Sequence, residues 1–453
     1  MHEKREKRVG EKLGERNDVM EVVKGGNRQM HGIDRYVDLV TTRGTIRITS
    51  PDANIVEIGE RTALDFNTDQ PDIRKGIHFC LFNNLWGTNF TMWWGGSMTY
   101  RFKVELLNDC DPGKDQVALM VRKPTYEALK AEIDRYKADV EQRFPVDLRI
   151  VVGEWETPAE VREQIKALCD PNGLEGVVLV GDMPLHRFYM HYFANPNALY
   201  YEDPMLEFND PVTATTYGSA PNPQIWVANM RAVSAPDSPG IEELRKFLNK
   251  THDYYAGKQQ INNDMLIVAG HEWPEGGRLA EKEMRGCFNR IDTLIGNGND
   301  KRTFVTREKL LDTFSKNYRL FYIQVHSNET RQDLEGGGSI FADPDIYGMK
   351  TGALCILNMG CSNGNFFKAN SKKNTAQSWV FGDGIGQGVI TQVRVGLVYG
   401  YEHLFGRLKA GDYFGKAYLE VKRAGEKEMF EEYGGNTVSG VTFLGNPFVY
   451  ALE

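Results

Sequence analysis

No CxxC pair, no HxxxH pair and no GxxxxGK[ST] loop occurs in the 453 residues, and the six cysteines (80, 110, 169, 287, 355, 361) are scattered. A zinc or disulfide framework is therefore excluded as an organising device, and so is a P-loop phosphate cradle. Basic charge is also short: 54 Lys and Arg face 62 Asp and Glu, a net charge of -8, which gives no field for collecting phosphates and excludes nucleic acid as a partner. No stretch reaches the roughly 18 apolar residues of a spanning helix, since GVVLVGDMPL and ALCILNMGC are short and punctuated, so no membrane is expected. The start, MHEKREKRVGEKLGERND, lacks the apolar run of about 7 to 15 residues that export requires. As written the chain reads as cytoplasmic, or as exported if it is an N-terminally incomplete fragment of a longer protein.

What is present is enough apolar residue, 41% against 26% charged, to fold and bury a core, at a length that implies more than one folding unit. Residues 1–30 are polar and aperiodic and read as a flexible segment. From 31 to 110 short alternating or aromatic runs (YVDLVTT, TIRITS, FTMWW, MTYRFKVEL) indicate an all-β, sandwich-like domain, in which Trp86, Trp93 and Trp94 pack between sheets or form a sugar-stacking surface. The phrase IHFCLFNNLWGTNFTMWW resembles a β-domain segment near the end of glycoside-hydrolase-like proteins. NDCDPGKD at 108–115 is a cluster of turn residues and marks a boundary. Beyond it, apolar strands (VALMV, DLRIVVG, GVVLVGD, QIWVANM, DMLIVAG, LFYIQVHS, ALCILNMGCS, GVITQV) alternate with helical patterns at 124–143, 239–257, 278–295, 306–316 and about 411–430. That rhythm predicts one α/β unit over 116–453, a mostly parallel sheet flanked by helices, with sub-lobes 116–235 and 236–453.

In open α/β sheets functional groups collect where strands end at their carboxyl side. LFYIQV runs into His326 and Ser327, and ALCILNMG runs into Cys361 and a Ser-Asn-Gly turn. A lone strand-end cysteine is more often packing than nucleophile, and Cys355, inside its strand, illustrates that role. The pairing is what distinguishes Cys361: thiol and imidazole at two strand ends make a nucleophile and a proton-transfer group, with the backbone N–H groups of Cys361 and Ser327 as oxyanion donors. His186, His191, His271 and His403 are dispersed and form no ligand set. The glycine-rich EGGGS at 335–339 reads as a mobile loop beside the active edge.

A strand ending in His plus a small residue, then a strand ending in a small residue plus Cys, resembles the pattern of clan CD cysteine peptidases. The gingipain-like family is the most similar, through GVVLVGD at 176–182, ALYYEDPMLEFND at 198–210, QIWVANMRA, GCSNGNF at 360–366 and FLGNPF at 443–448. The resemblance implies a caspase-like fold and hydrolysis of protein or peptide substrates through a thioester, with Cys361 attacking and His326 protonating the leaving amine. No cofactor is required. Two positions depart from the family: Ser327 stands where Gly usually follows the histidine, and Gly360 where Ala often precedes the cysteine. Cleavage after Arg or Lys would need an acidic residue in the substrate pocket, from among Asp182, Glu202, Asp203, Glu207 and Asp210, with Asp182, Asp203 and Asp210 foremost. The plainer reading is that Asp182 caps a turn and that 202–210 is a solvated acidic loop or one holding a structural calcium ion. Two other functions stand beside the peptidase: a catalytically silent caspase-like scaffold, and a carbohydrate-directed protein.

Overall fold

The computed structural model describes the strand backbone of seven segments between residues 19 and 106. It also describes residues 115–452 apart from 173, 191–192, 209–219, 233–239, 299, 368–372, 396–400 and 435–437. The chain divides into one unit over residues 1–116 with 167–173, and a second over 117–166 and 174–453.

The first unit is built of strands β1 (Val19–Gly26), β2 (Arg35–Thr41), β3 (Gly44–Ser50), β4 (Ala53–Ile58), β5 (Arg61–Phe66), β6 (Asn89–Trp94) and β7 (Met98–Leu106). Five of them form an antiparallel sheet in the order β1-β2-β3-β7-β6, and β4 and β5 pair separately as a hairpin. β1 falls inside the segment whose polarity suggested flexibility; its VMEVV stretch satisfies its backbone by pairing with β2 instead. Trp93 and Trp94 end β6, whereas Trp86, Cys80 and Cys110 lie outside the described residues.

The second unit begins with β8 (Asp115–Arg122), β9 (Val146–Gly153), β10 (Leu174–Val180), a hairpin of β11 (Arg187–Met190) and β12 (Phe193–Pro196), and β13 (Trp226–Met230). It continues through β14 (Asp264–Ala269), β15 (Arg290–Ile295), β16 (Tyr318–Gln324) and a small three-stranded sheet of β17 (Ser327–Asn328), β18 (Arg331–Asp333) and β19 (Ser339–Phe341). It closes with β20 (Ala353–Asn358), β21 (Gly388–Gln392) and β22 (Val441–Gly445). Ten strands make one mixed but mostly parallel sheet flanked by helices, in the order β15-β14-β16-β20-β21-β22-β13-β10-β8-β9. The continuous apolar runs are its middle: every residue of β13, β16, β20, β21 and β22 is buried, as strands covered on both faces must be.

β15 to β21 are mutually parallel, but β22, which arrives from the far end of the chain, is antiparallel to β21 and parallel to β13, and β13 is parallel to β10. The sheet thus holds two runs of parallel strands of opposite sense, β15-β14-β16-β20-β21 and β22-β13-β10, joined at the β21/β22 pair.

The helical pattern over 278–295 is corrected. The helix spans Pro274–Met284, the chain breaks at Gly286 with φ of 82°, and Arg290–Ile295 is the edge strand β15. Its β-branched Ile291, Thr293 and Ile295 favour a strand, and six residues pair in register with β14. Two helices had no visible pattern: Tyr401–Lys409, and Thr375–Phe381, whose seven residues are all buried and so show no amphipathic stripe.

Candidate active site

Parallel pairing of β16 with β20 sets Ile323 opposite Asn358. His326 and Cys361 each lie three residues beyond that pair (326 − 323 = 361 − 358 = 3), so in-register strands about 4.8 Å apart deliver them side by side at one sheet edge. Backbone bonds carry the register past the strand ends, with Met359 N–H donating to Ile323 O at 2.8 Å. Ser327 Oγ then donates to Cys361 O at 3.0 Å, tying the two loops together.

Gly360 is required by that close approach. A Cβ at this position would lie 2.0 Å from Ser327 Oγ, 2.6 Å from Asn363 Nδ2 and 2.9 Å from Val325 O. After the thiol the loop is rigidly held. Ser362 is a non-glycine residue with φ of 55°, its N–H donates to Arg394 O at 3.0 Å, and Gly364 N–H donates to Gln392 O at 2.8 Å. Asn363 Nδ2 donates to Asn358 Oδ1 at 2.8 Å, and Asn365 Nδ2 to Asn195 Oδ1 at 2.8 Å. A left-handed residue fixed from several sides is what a preorganised nucleophile turn needs. On the histidine side, Asp333 N–H donates to His326 O at 2.7 Å, which makes 326/333 a hydrogen-bonded pair. The next pair, Ser327/Gln332, is then non-hydrogen-bonded, so the Ser327 N–H points away from β18.

The neighbouring strand end supplies a residue that sequence reasoning missed. Glu272, just beyond β14, places Oε2 3.1 Å from His326 Nε2, and the Trp273 ring meets the imidazole edge-on at 4.6 Å between centroids. Three consecutive strands, β14, β16 and β20, therefore end in a carboxylate, an imidazole and a thiol. The rule that found His326 and Cys361, applied to DMLIVAG, points to His271-Glu272 as well. That loop is clamped by Glu335: its Oε1 accepts His271 N–H at 2.6 Å and its Oε2 accepts the N–H of Val305. The EGGGS loop read as mobile thus begins with an anchored, nearly buried carboxylate. Among the described cysteines (169, 287, 355, 361) none is in a disulfide, and burial pushes the Cys355 thiol far up, whereas Cys361 is partly exposed.

The acids considered for a substrate pocket lie elsewhere. Asp182 follows β10, in the block of opposite sense, and its carboxylate is taken by Arg122 Nη1 at 3.0 Å and Thr125 Oγ1 at 3.1 Å. Asp203 is buried and accepts the N–H groups of Leu206 and Asn222 at 3.1 and 2.7 Å; burial raises its pKa, partly offset by those bonds. Asp203 is not the solvated group the acidic run suggested, and Glu202 is wholly buried beside Lys422. Glu207 is exposed, and Asp210 lies outside the described residues. Among the described residues no group of three or more His, Cys, Asp or Glu is arranged to hold a metal, and no helix is long and apolar enough to cross a membrane.

No family model and no curated protein matches the chain. Three solved structures align weakly. A putative LacI transcriptional regulator from Bacteroides fragilis is 10% identical over 62% of this chain and 85% of its own, with a TM-score of 0.17. A mutant XylFII–LytSN complex is 10% identical over 74% and 98%, with a TM-score of 0.18. An ABC transporter solute-binding protein from Burkholderia multivorans is 12% identical over 73% and 99%, with a TM-score of 0.16. Scores this low fix neither the fold nor the activity of this chain.

Proposed function

We propose that the chain is a cysteine peptidase of the gingipain-like, caspase-fold kind. The observation that carries this reading is the in-register delivery of His326 and Cys361 by the adjacent parallel strands β16 and β20. In the proposed reaction the Cys361 thiol gives its proton to His326 and the sulfur attacks the scissile carbonyl, forming a C–S bond. The oxyanion is met by the N–H groups of Cys361 and Ser327. The C–N bond then breaks, the departing amine takes a proton from His326, and a thioester remains. Water, deprotonated by His326, attacks the thioester and releases the carboxylic acid and the thiol. Glu272 acts through His326, holding the ring in place by its contact with Nε2.

The two departures from the family pattern support the reading once taken together. The Ser327 hydroxyl lies 2.0 Å from where a methyl group at 360 would stand, so serine after the histidine demands glycine before the cysteine. Gly-and-Ala has become Ser-and-Gly, so the side chain that fills the gap comes from the other loop. Asp182 and Asp203 both have protein partners, and so cleavage after Arg or Lys through either of them is not part of this proposal.

The test is a pool of fluorogenic peptides varied at the residue before the cut, incubated with the protein under reducing conditions, with a peptidyl electrophile as a parallel label. Cleavage with labelling at Cys361, located by mass spectrometry, is the expected result. Neither cleavage nor labelling would sink the peptidase and leave the silent scaffold. Glu272→Gln should lower kcat by about 100-fold with KM little changed, because the lost interaction bears on proton transfer rather than on binding. A rise in KM at constant kcat would instead assign Glu272 to substrate contact.

A further inference from the structure

The second block of the sheet has a cleft of about 580 Å³, lined chiefly by residues from the loops after β8, β9, β10 and β13, with Phe367 reaching it from the loop that follows Cys361. Chain order is β8, β9, β10, β13, but sheet order is β13-β10-β8-β9, so β9 and β10 lie on opposite sides of β8. Strand order reverses there, and a crevice outside the carboxyl ends at such a reversal is where open α/β sheets take ligands. Arg122 ends β8 and Asp182 follows β10, so the crevice opens at the reversal itself.

The cleft's charged groups are three guanidinium groups and two carboxylates. Asp182 is already engaged by Arg122 and Thr125, and Glu156 is exposed at the mouth. Arg187 lies with its guanidinium carbon 4.0 Å over the Phe367 ring, and Arg231, only 4% exposed, sits 5.6 Å over Phe366 while donating to Met183 O. Guanidinium groups held flat against rings lose little freedom when they meet a ligand, and their forked donors match planar or tetrahedral oxyanions. We propose that this cleft is a second binding site, for a small ligand that presents a carboxylate or a phosphate to Arg187 and Arg231.

Calorimetric titration of the intact protein with inorganic phosphate and with succinate, at constant ionic strength, tests the proposal. Saturable binding of at least one probe is expected, weakened tenfold or more by Arg187→Ala and less by Arg187→Lys, and unchanged by Cys361→Ala. Phosphate alone would point to a phosphoryl ligand and succinate alone to a carboxylate. Arg187 is exposed, so its variants should keep the wild-type melting temperature, and a melting curve on each verifies this. Absence of binding by both probes, or binding equally strong in Arg187→Ala, would overturn the site. Because Cys361→Ala retains the cleft, that result is independent of whether the chain is a peptidase.

Discussion

Alanine at position 361 is expected to lower peptide cleavage by at least about 10³-fold while leaving the melting temperature unchanged, since it removes the attacking sulfur from a loop held by other atoms. Alanine at the preceding position should abolish the proposed cleavage by a different route. The added methyl group at 360 would meet Ser327 Oγ at 2.0 Å, Asn363 Nδ2 at 2.6 Å and Val325 O at 2.9 Å, and the last of these is backbone that cannot rotate aside. Overpacking of this kind costs about 1 to 3 kcal/mol, and here the strain falls on the residue next to the nucleophile. Gly360→Ala should therefore lose both stability and activity, whereas Cys361→Ala loses activity alone. Adding Ser327→Gly to Gly360→Ala removes the shortest contact and should restore part of each, with a coupling energy of about 1 kcal/mol in the double-mutant cycle. Thermal melts and kcat/KM on the four proteins decide the matter. A fully active, fully stable Gly360→Ala would show that the two loops do not meet as closely as described.

The dyad was legible because LFYIQV and ALCILNM have no alternation: a run apolar on both faces is a central parallel strand, and the residue after it must lie at the sheet edge. Glu272 obeys the same rule, but only the pairing of β14 with β16 shows that its carboxylate stands beside His326. No local pattern reveals that Asp182 follows a strand whose sense is opposite to that of β16 and β20. The reversal of strand sense depends on β22 pairing with both β21 and β13, contacts between residues 49 or more apart in sequence. β15 was hidden because the helix before it and the strand itself share one run of mixed charge and aliphatic residues, broken only at Gly286.

Least legible was the environment of Glu202. In the sequence it opens an acidic run, and Lys422 and Glu426 look like an ordinary solvated i,i+4 pair on the helix Phe414–Tyr433. In the fold all three are buried. Lys422 Nζ lies 3.3 Å from Glu202 Oε2 and 2.9 Å from Glu426 Oε1, and donates to Val441 O at 2.8 Å, the first carbonyl of β22. Tyr418 donates to Glu202 at 2.6 Å, and Ser439 donates to Glu426 at 2.7 Å. Lys422→Met would fill the same space but leave two carboxylates without their cation at the strand that joins the two blocks. A loss of about 3 to 5 kcal/mol is expected, as for other broken buried pairs. Its pH dependence has a definite sign. Burial raises the Glu202 carboxyl from the ordinary 4.5 to about 7 even against the pull of Lys422, so between those values the folded state binds more protons than the unfolded one. From this group, stability falls as pH rises through that window, and without Lys422 the carboxyl moves higher still and the fall extends further. Urea denaturation at about pH 5 and about pH 8 should thus show a larger deficit for Lys422→Met at the higher pH, where Glu202 has lost the cation that favours its ionised form. A deficit that is equal at the two values, or below about 1 kcal/mol at both, would mean that water reaches Glu202 and that the cation is not what holds β22 in place.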